Sequence, residues 1–121
     1  MVDDHEIVRQ GVRQILETHD QWEVAGEAVN GEEAIRLNRE LKPDAIIMDI
    51  TMPVLSGLEA TNEITKANPE SKVLIFTMHE SPSLLRPVQR VGARGLLTKS
   101  RAGRELTAAL QAIIAGQTYF D

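Results

Sequence analysis

Five side chains in this sequence could do phosphate chemistry together. Asp3 and Asp4 follow Met1-Val2, and Asp49 follows the apolar run Ala45-Ile46-Ile47-Met48. Thr77 follows Val73-Leu74-Ile75-Phe76, and Lys99 follows Gly95-Leu96-Leu97-Thr98. Three carboxylates brought close together raise one another's pKa unless a cation intervenes. A hard divalent ion resolves that conflict, and Mg²⁺ characteristically takes a few carboxylates plus waters and phosphate oxygens. A carboxylate can also act as a nucleophile and form an aspartyl-phosphate. Phosphoryl transfer demands mainly positioning and charge stabilisation; Lys99 supplies a fixed positive charge and Thr77 a hydroxyl donor. Each residue alone has an ordinary explanation: Asp3-Asp4 as a helix cap, Asp49 as a loop residue, Thr77 as a strand end, Lys99 as a surface lysine. Their shared position at the ends of apolar segments argues for one site.

Such a site needs elements that bring those ends together. Continuous apolar runs suit strands covered on both faces, as in a parallel sheet. Between them apolar residues switch to helical spacing. Ile7, Val8, Val12, Ile15 and Leu16 form one stripe. Asn30 caps a second helix with Ala34, Ile35, Leu37 and Leu41 facing inward, and Pro43 ends that region. A loop with Pro53, Ser56 and Gly57 leads into Leu58, Ala60, Thr61 and Ile64. Leu106, Ala109, Leu110, Ile113 and Ile114 mark the last helix, with Gly116 as its stop. Trp22, Val24 and Ala28 alternate partially and read as another strand. Alternating strands and helices predict an α/β domain with a parallel sheet, whose ligands bind beyond the carboxyl ends of the strands.

The 121 residues suit one domain, 1–121. A hydrophobic content of 42% supports a core, but no stretch approaches the roughly 18 apolar residues of a membrane span. The acidic start is unlike a signal peptide, and zero cysteines exclude disulfides and thiolate metal sites. A cytoplasmic location and no membrane partner are the expectations. The net charge of −5 argues against a domain that grips nucleic acid phosphates by itself. One basic group stands out, Arg86, Arg90, Arg94, Lys99, Arg101 and Arg104; it is either a solvated helix face or a dimer or partner face.

Val2-Asp3-Asp4-His5, the run Ile46 to Pro53 followed by Ser56-Gly57, the strand ending in Thr77, and Gly92-Ala93-Arg94-Gly95 before Lys99 resemble the receiver domain of two-component response regulators. Asp-Asp-His-Glu, Val-Arg-Gln-Gly, Thr77-Met78-His79 and the closing Ala-Gly-Gln-Thr-Tyr-Phe are similar to the NarL/LuxR-type subclass. The resemblance runs the whole length. It implies a flavodoxin-like (CheY-like) doubly wound fold: a five-stranded parallel sheet in order 2-1-3-4-5 with five helices. It implies that Asp49 takes a phosphoryl group from a phosphohistidine on a sensor kinase. Asp4 and Asp49 would contact Mg²⁺ directly, Asp3 mostly through water, and Thr51 through its backbone carbonyl. Lys99 would pair with phosphoryl oxygens and Thr77 would swing toward them, while Thr51 and His79 flank the site. The domain would be a phosphoacceptor with at most weak self-dephosphorylation, not an enzyme. A homodimer would form through the fourth helix, fifth strand and fifth helix, or through the first and fifth helices. In that subclass the receiver precedes a helix-turn-helix output domain, so DNA contact belongs to a segment not present here.

Four departures bear on these expectations. Only Met1-Val2 stand where the family has a full first strand, so that strand is expected to be truncated and the fold less stable than one with the upstream residues. Leu96 replaces the usual aromatic partner of the threonine switch and cannot make its hydroxyl contact. Ser100 replaces the usual proline after the lysine, so no cis bond is expected there, and Ser100 is a candidate cap for the last helix. Pro87 falls inside the fourth helix, which should therefore start near Leu85 or Arg86, or kink. Competing functions are a non-phosphorylated interaction module, a phosphatase of the haloacid-dehalogenase type and a flavodoxin-like flavin binder. Thr51 stands where the phosphatase needs its second acid, and Asp3-Asp4 would repel a flavin phosphate.

Overall fold

The computed structural model describes residues 1–78 and 81–120. In chain order the elements are α1 (Glu6–Glu17), α2 (Gly31–Leu41), β1 (Ile46–Met48), α3 (Gly57–Ala67), β2 (Val73–Thr77), α4 (Leu85–Arg90), β3 (Gly95–Thr98) and α5 (Ala102–Ile114). The strands are the three continuous apolar runs, and they pair in parallel in the order β1-β2-β3. Ile46 lies opposite Val73, and Thr77 lies opposite Thr98.

Two of the five expected strands are reduced to single bridges. Val2 bridges Ala28 on one side and Met48 on the other, both in parallel. Read across the sheet, Ala28, Val2, β1, β2 and β3 give the expected 2-1-3-4-5 order. The strand expected around Trp22–Ala28 is therefore corrected to one paired residue. Its neighbour in the sheet is Met1-Val2, which offers too little backbone for a ladder, and a strand without a partner leaves its polar groups unmatched.

The sheet separates two apolar layers. Val2, Ile46, Met48, Val73 and Ile75 pack with Ala34, Ala60, Ile64 and Val88 from α2, α3 and α4. Ile47, Leu74, Phe76 and Leu97 pack with Val12, Leu16, Leu106, Leu110 and Ile113 from α1 and α5. This alternation follows from the period of two along a strand.

Local signals set most helix ends. The Asn30 side chain accepts from the Glu33 amide at 2.8 Å, as an N-cap does. Gly116 takes a positive φ of 90° after α5. A 3₁₀ turn, Pro82–Leu84, precedes α4, so the helix starts at Leu85 as expected. Pro87 falls in its first turn, where a missing N–H costs nothing.

Three expectations are corrected. Ile7 is 83% exposed, because it lies about 100° around the helix from Val8, whose face Val12 and Leu16 continue inward. Leu41 at the end of α2 is also exposed. Ser100 does not cap α5: the residue before that helix is Arg101, with no side-chain cap, because Lys99–Arg101 already turn as a 3₁₀ segment.

Candidate functional site

The site lies at the carboxyl rim of the sheet. Val2 accepts from the Asp49 amide at 2.9 Å and donates to Ile47 at 2.7 Å, while the Asp3 amide donates to Ala28 at 3.0 Å. This short ladder sets Asp3 beside Asp49, both buried at 2% and 5% exposure. Lys99, one residue beyond β3, donates from Nζ to Asp3 Oδ2 at 2.6 Å. The same ammonium is 3.4 Å from Asp49 Oδ1 and sits 5.9 Å above the Phe76 ring. Residues 96 positions apart thus share one pair of buried charges.

Asp4 is exposed, and His5 joins it to Asp3: His5 Nδ1 is 3.1 Å from Oδ1 of each. The His5 amide also donates to Asp3 Oδ1 at 2.9 Å. Arg9 of α1 donates from Nη1 to the Asp3 carbonyl at 2.7 Å and from Nε to Glu27 at 3.1 Å. The turn that presents the acids is therefore anchored at both ends.

The loop after Asp49 is shaped by close backbone approach. The Ile50 amide donates to Asp49 Oδ1 at 2.9 Å. A Cβ on Gly57 would fall 1.7 Å from the Asp49 carbonyl oxygen, so only glycine fits where α3 begins. Ser56 caps that helix by accepting from the Glu59 amide. Between them Val54 has φ +70°, and the Leu55 amide donates to the Pro53 carbonyl at 2.8 Å. That pairing across one residue is a γ-turn of the rare, strained kind.

Burial pushes the Asp49 carboxyl pKa up; the Asp3 charge adds to the shift, and the Lys99 ammonium opposes it. One donor atom each from Asp3, Asp4, His5 and Asp49 lie within 4.8 Å of one another. Three of the four are carboxylate oxygens, and the local negative charge exceeds what Lys99 neutralises. This donor set fits a hard divalent ion such as Mg²⁺.

Asp3, Asp4, Asp49 and Lys99 are brought together as the sequence predicts. Thr77 is buried at the end of β2, in register with Thr98. Thr51 lies in the exposed loop two residues past Asp49. Leu96 is half-buried and packs on the α2–α3–α4 side of the sheet. His79 lies outside the described residues. Lys99 leaves the basic group for the site, whereas Arg86, Arg90 and Arg104 are exposed. Sequence reasoning did not assign His5 or Phe76. An imidazole directly after two acids was a usable signal for the first, but nothing in the sequence places Phe76 under Lys99.

A family model described as the response regulator receiver domain matches residues 1–111. The chain belongs to that family. Response regulator GacA of Pseudomonas viridiflava is 39% identical to this receiver over 121 residues, 100% of this chain and 56% of that protein. Response regulator UvrY of Escherichia coli (strain K12) is 40% identical over 119 residues, 98% of this chain and 55% of that protein. The receiver thus spans about half the length of these curated relatives. A LuxR-family response regulator structure from Aurantimonas sp. SI85-9A1 matches with TM-score 0.93 at 42% identity, covering 98% of this chain and 84% of that one. The isolated REC domain of RcsB from Salmonella enterica serovar Typhimurium, in the presence of phosphomimetic BeF3−, matches with TM-score 0.89 at 28% identity over 99% and 89% of the two chains. The receiver therefore has the flavodoxin-like fold of two-component response regulators.

Proposed function

We propose that this receiver is a phosphorylation-dependent switch whose Asp49 accepts a phosphoryl group from the phosphohistidine of a sensor histidine kinase. The observation that carries the reading is the single ammonium of Lys99 bridging buried Asp3 and Asp49. The Ile50 amide and Lys99 hold Asp49 Oδ1, so Oδ2 is the attacking oxygen. The new O–P bond forms as the donor's P–N bond breaks, its electron pair returning to the imidazole. Lys99 then neutralises the transferred oxygens, and the Thr77 hydroxyl turns to donate to one of them. Asp4 and Asp49 would hold Mg²⁺ directly, Asp3 through water and Thr51 through its carbonyl, and the ion would supply the positive charge that phosphoryl transfer needs. Thr51 and His79, two residues past Asp49 and Thr77 in sequence, tune the lifetime of the phosphoryl group, with Leu96 in place of an aromatic partner. Loss of the group by slow hydrolysis makes the domain a switch rather than an enzyme.

In this reading residues 1–121 are the regulatory part of a cytoplasmic transcription regulator, and DNA binding belongs to a helix-turn-helix output domain. A DNA-binding response regulator of the LuxR family from Staphylococcus aureus has a similar structure. Dimerisation would use α4, β3 and α5, or α1 and α5. The test is incubation with Mg²⁺ and acetyl phosphate followed by intact mass measurement. Wild type gains one phosphoryl group and Asp49→Asn gains none; a labelled variant would remove Asp49 from its role.

A further inference from the structure

Thr98, the last residue of β3, carries a hydroxyl that the resting fold leaves unused. The residue is 9% exposed, and its buried Oγ1 meets no hydrogen-bond partner among the described residues. A buried hydroxyl without a partner forfeits the bond it makes to water in the unfolded chain. Valine has the same branched shape and avoids that cost, so the hydroxyl calls for an explanation outside the resting state. Side-chain direction supplies one. Successive residues of a strand face opposite sides of the sheet. Ile75 belongs to the α2–α3–α4 layer and Leu96 packs against it, so Thr77 and Thr98, each two residues further along, face that same side. They are also register partners across β2 and β3, which sets the two threonines side by side at the strand spacing of about 4.8 Å. Leu96 adds no hydroxyl to this row.

We propose that Thr98 is a positioning residue for the phosphoryl group: when Asp49 is phosphorylated, the Thr98 hydroxyl donates to Thr77 Oγ1 while the Thr77 hydroxyl donates to a phosphoryl oxygen. This rests on the phosphoacceptor reading above. A threonine hydroxyl has one proton to donate and two lone pairs that accept, so Thr77 does both at once. Donating to an anion makes Thr77 Oγ1 a better acceptor, and each bond in such a chain strengthens the next. Thr98 thereby fixes the direction in which Thr77 points. A hydroxyl that is unpaired in one state and paired in the other favours the second state by that difference. The cost carried by the resting fold is thus returned as tighter holding of the phosphoryl group. Lys99, the next residue, lies over Phe76 of the opposite layer, so the end of β3 serves the phosphoryl group from both sides of the sheet.

Thr98→Val and Thr98→Ser in the full chain test this, the first also combined with Thr77→Val. The Ile50 amide shift in NMR titrations of BeF3− with Mg²⁺ reports binding of the phosphoryl analogue, and urea unfolding without BeF3− reports the resting fold. Thr98→Val should raise the urea midpoint yet weaken BeF3− binding about fivefold, the worth of one hydrogen bond. Thr98→Ser, which keeps the hydroxyl, should bind within about twofold of wild type. In the Thr77→Val background, Thr98→Val should change binding by less than about twofold, because its partner is gone. Unchanged binding in Thr98→Val, a lowered midpoint, a Thr98→Ser that binds no better than Thr98→Val, or an equal loss without the Thr77 hydroxyl overturns the relay and spares the phosphoacceptor reading. No BeF3− binding by wild type overturns that reading and the relay with it.

Discussion

Lys99 answers two buried carboxylates with one charge, so its removal should be costly. Breaking a buried pair by deleting one partner destabilises by roughly 3–5 kcal/mol, because the other charge stays buried and unmatched. Lys99→Met should lose about 3 kcal/mol in urea unfolding, and added Mg²⁺ should recover part of the loss. Asp49 behaves in the opposite sense. Its folded pKa is raised by burial and by Asp3, so the folded state holds that proton to higher pH than the unfolded chain does. Stability is therefore lost as pH rises from the ordinary aspartate range through the raised folded value. Asp49→Asn should melt higher than wild type at neutral pH, with the gap closing as pH falls through that window. A gap that widens on acidification would contradict the electrostatic account. At this scale the sequence was informative about which residues meet, because Asp3, Asp4, Asp49 and Lys99 all sit at segment ends. It was silent on Phe76, whose place under Lys99 depends on side-chain direction rather than spacing.

The loop between β1 and α3 is the element that fixes the phosphoacceptor's backbone. Gly57→Ala would drive a methyl group into the Asp49 carbonyl, and neither backbone can yield without moving the site. The variant should lose BeF3− binding by the Ile50 shift and more than about 2 kcal/mol of stability. Val54 tells the reverse story: a β-branched residue at φ +70° is strained where asparagine is tolerated. Val54→Asn should gain about 1 kcal/mol in thermal or chemical unfolding. Elements with local signals were legible: α2 from Asn30, the end of α5 from Gly116, and the late start of α4 from Pro87. Ser100 misled because its type suits a cap, yet the 3₁₀ turn at Lys99–Arg101 had already taken the helix start.

Across the whole molecule the sheet divides the core but does not divide its cooperativity, since β2 sends alternate side chains into both layers. Leu106→Ala in the α1–α5 layer should cost about 3 kcal/mol and lower one common transition seen by both Trp22 fluorescence and far-UV dichroism. Separate transitions would mean the layers fold independently. The parallel sheet was legible from strand–helix alternation, its 2-1-3-4-5 order from the family resemblance and its shortened first strand from Met1-Val2, but the shrinking of the second strand to the Ala28 bridge was not. Pairing is non-local, and a strand such as 24–28 forms only as far as its neighbour extends. What remains central is the reactive carboxylate beside Lys99. Borohydride reduction after treatment with Mg²⁺ and acetyl phosphate converts an aspartyl-phosphate to homoserine, and peptide mass mapping then locates it. The account predicts homoserine at position 49 and nowhere else; an unmodified Asp49, or homoserine at Asp3 or Asp4, would contradict it.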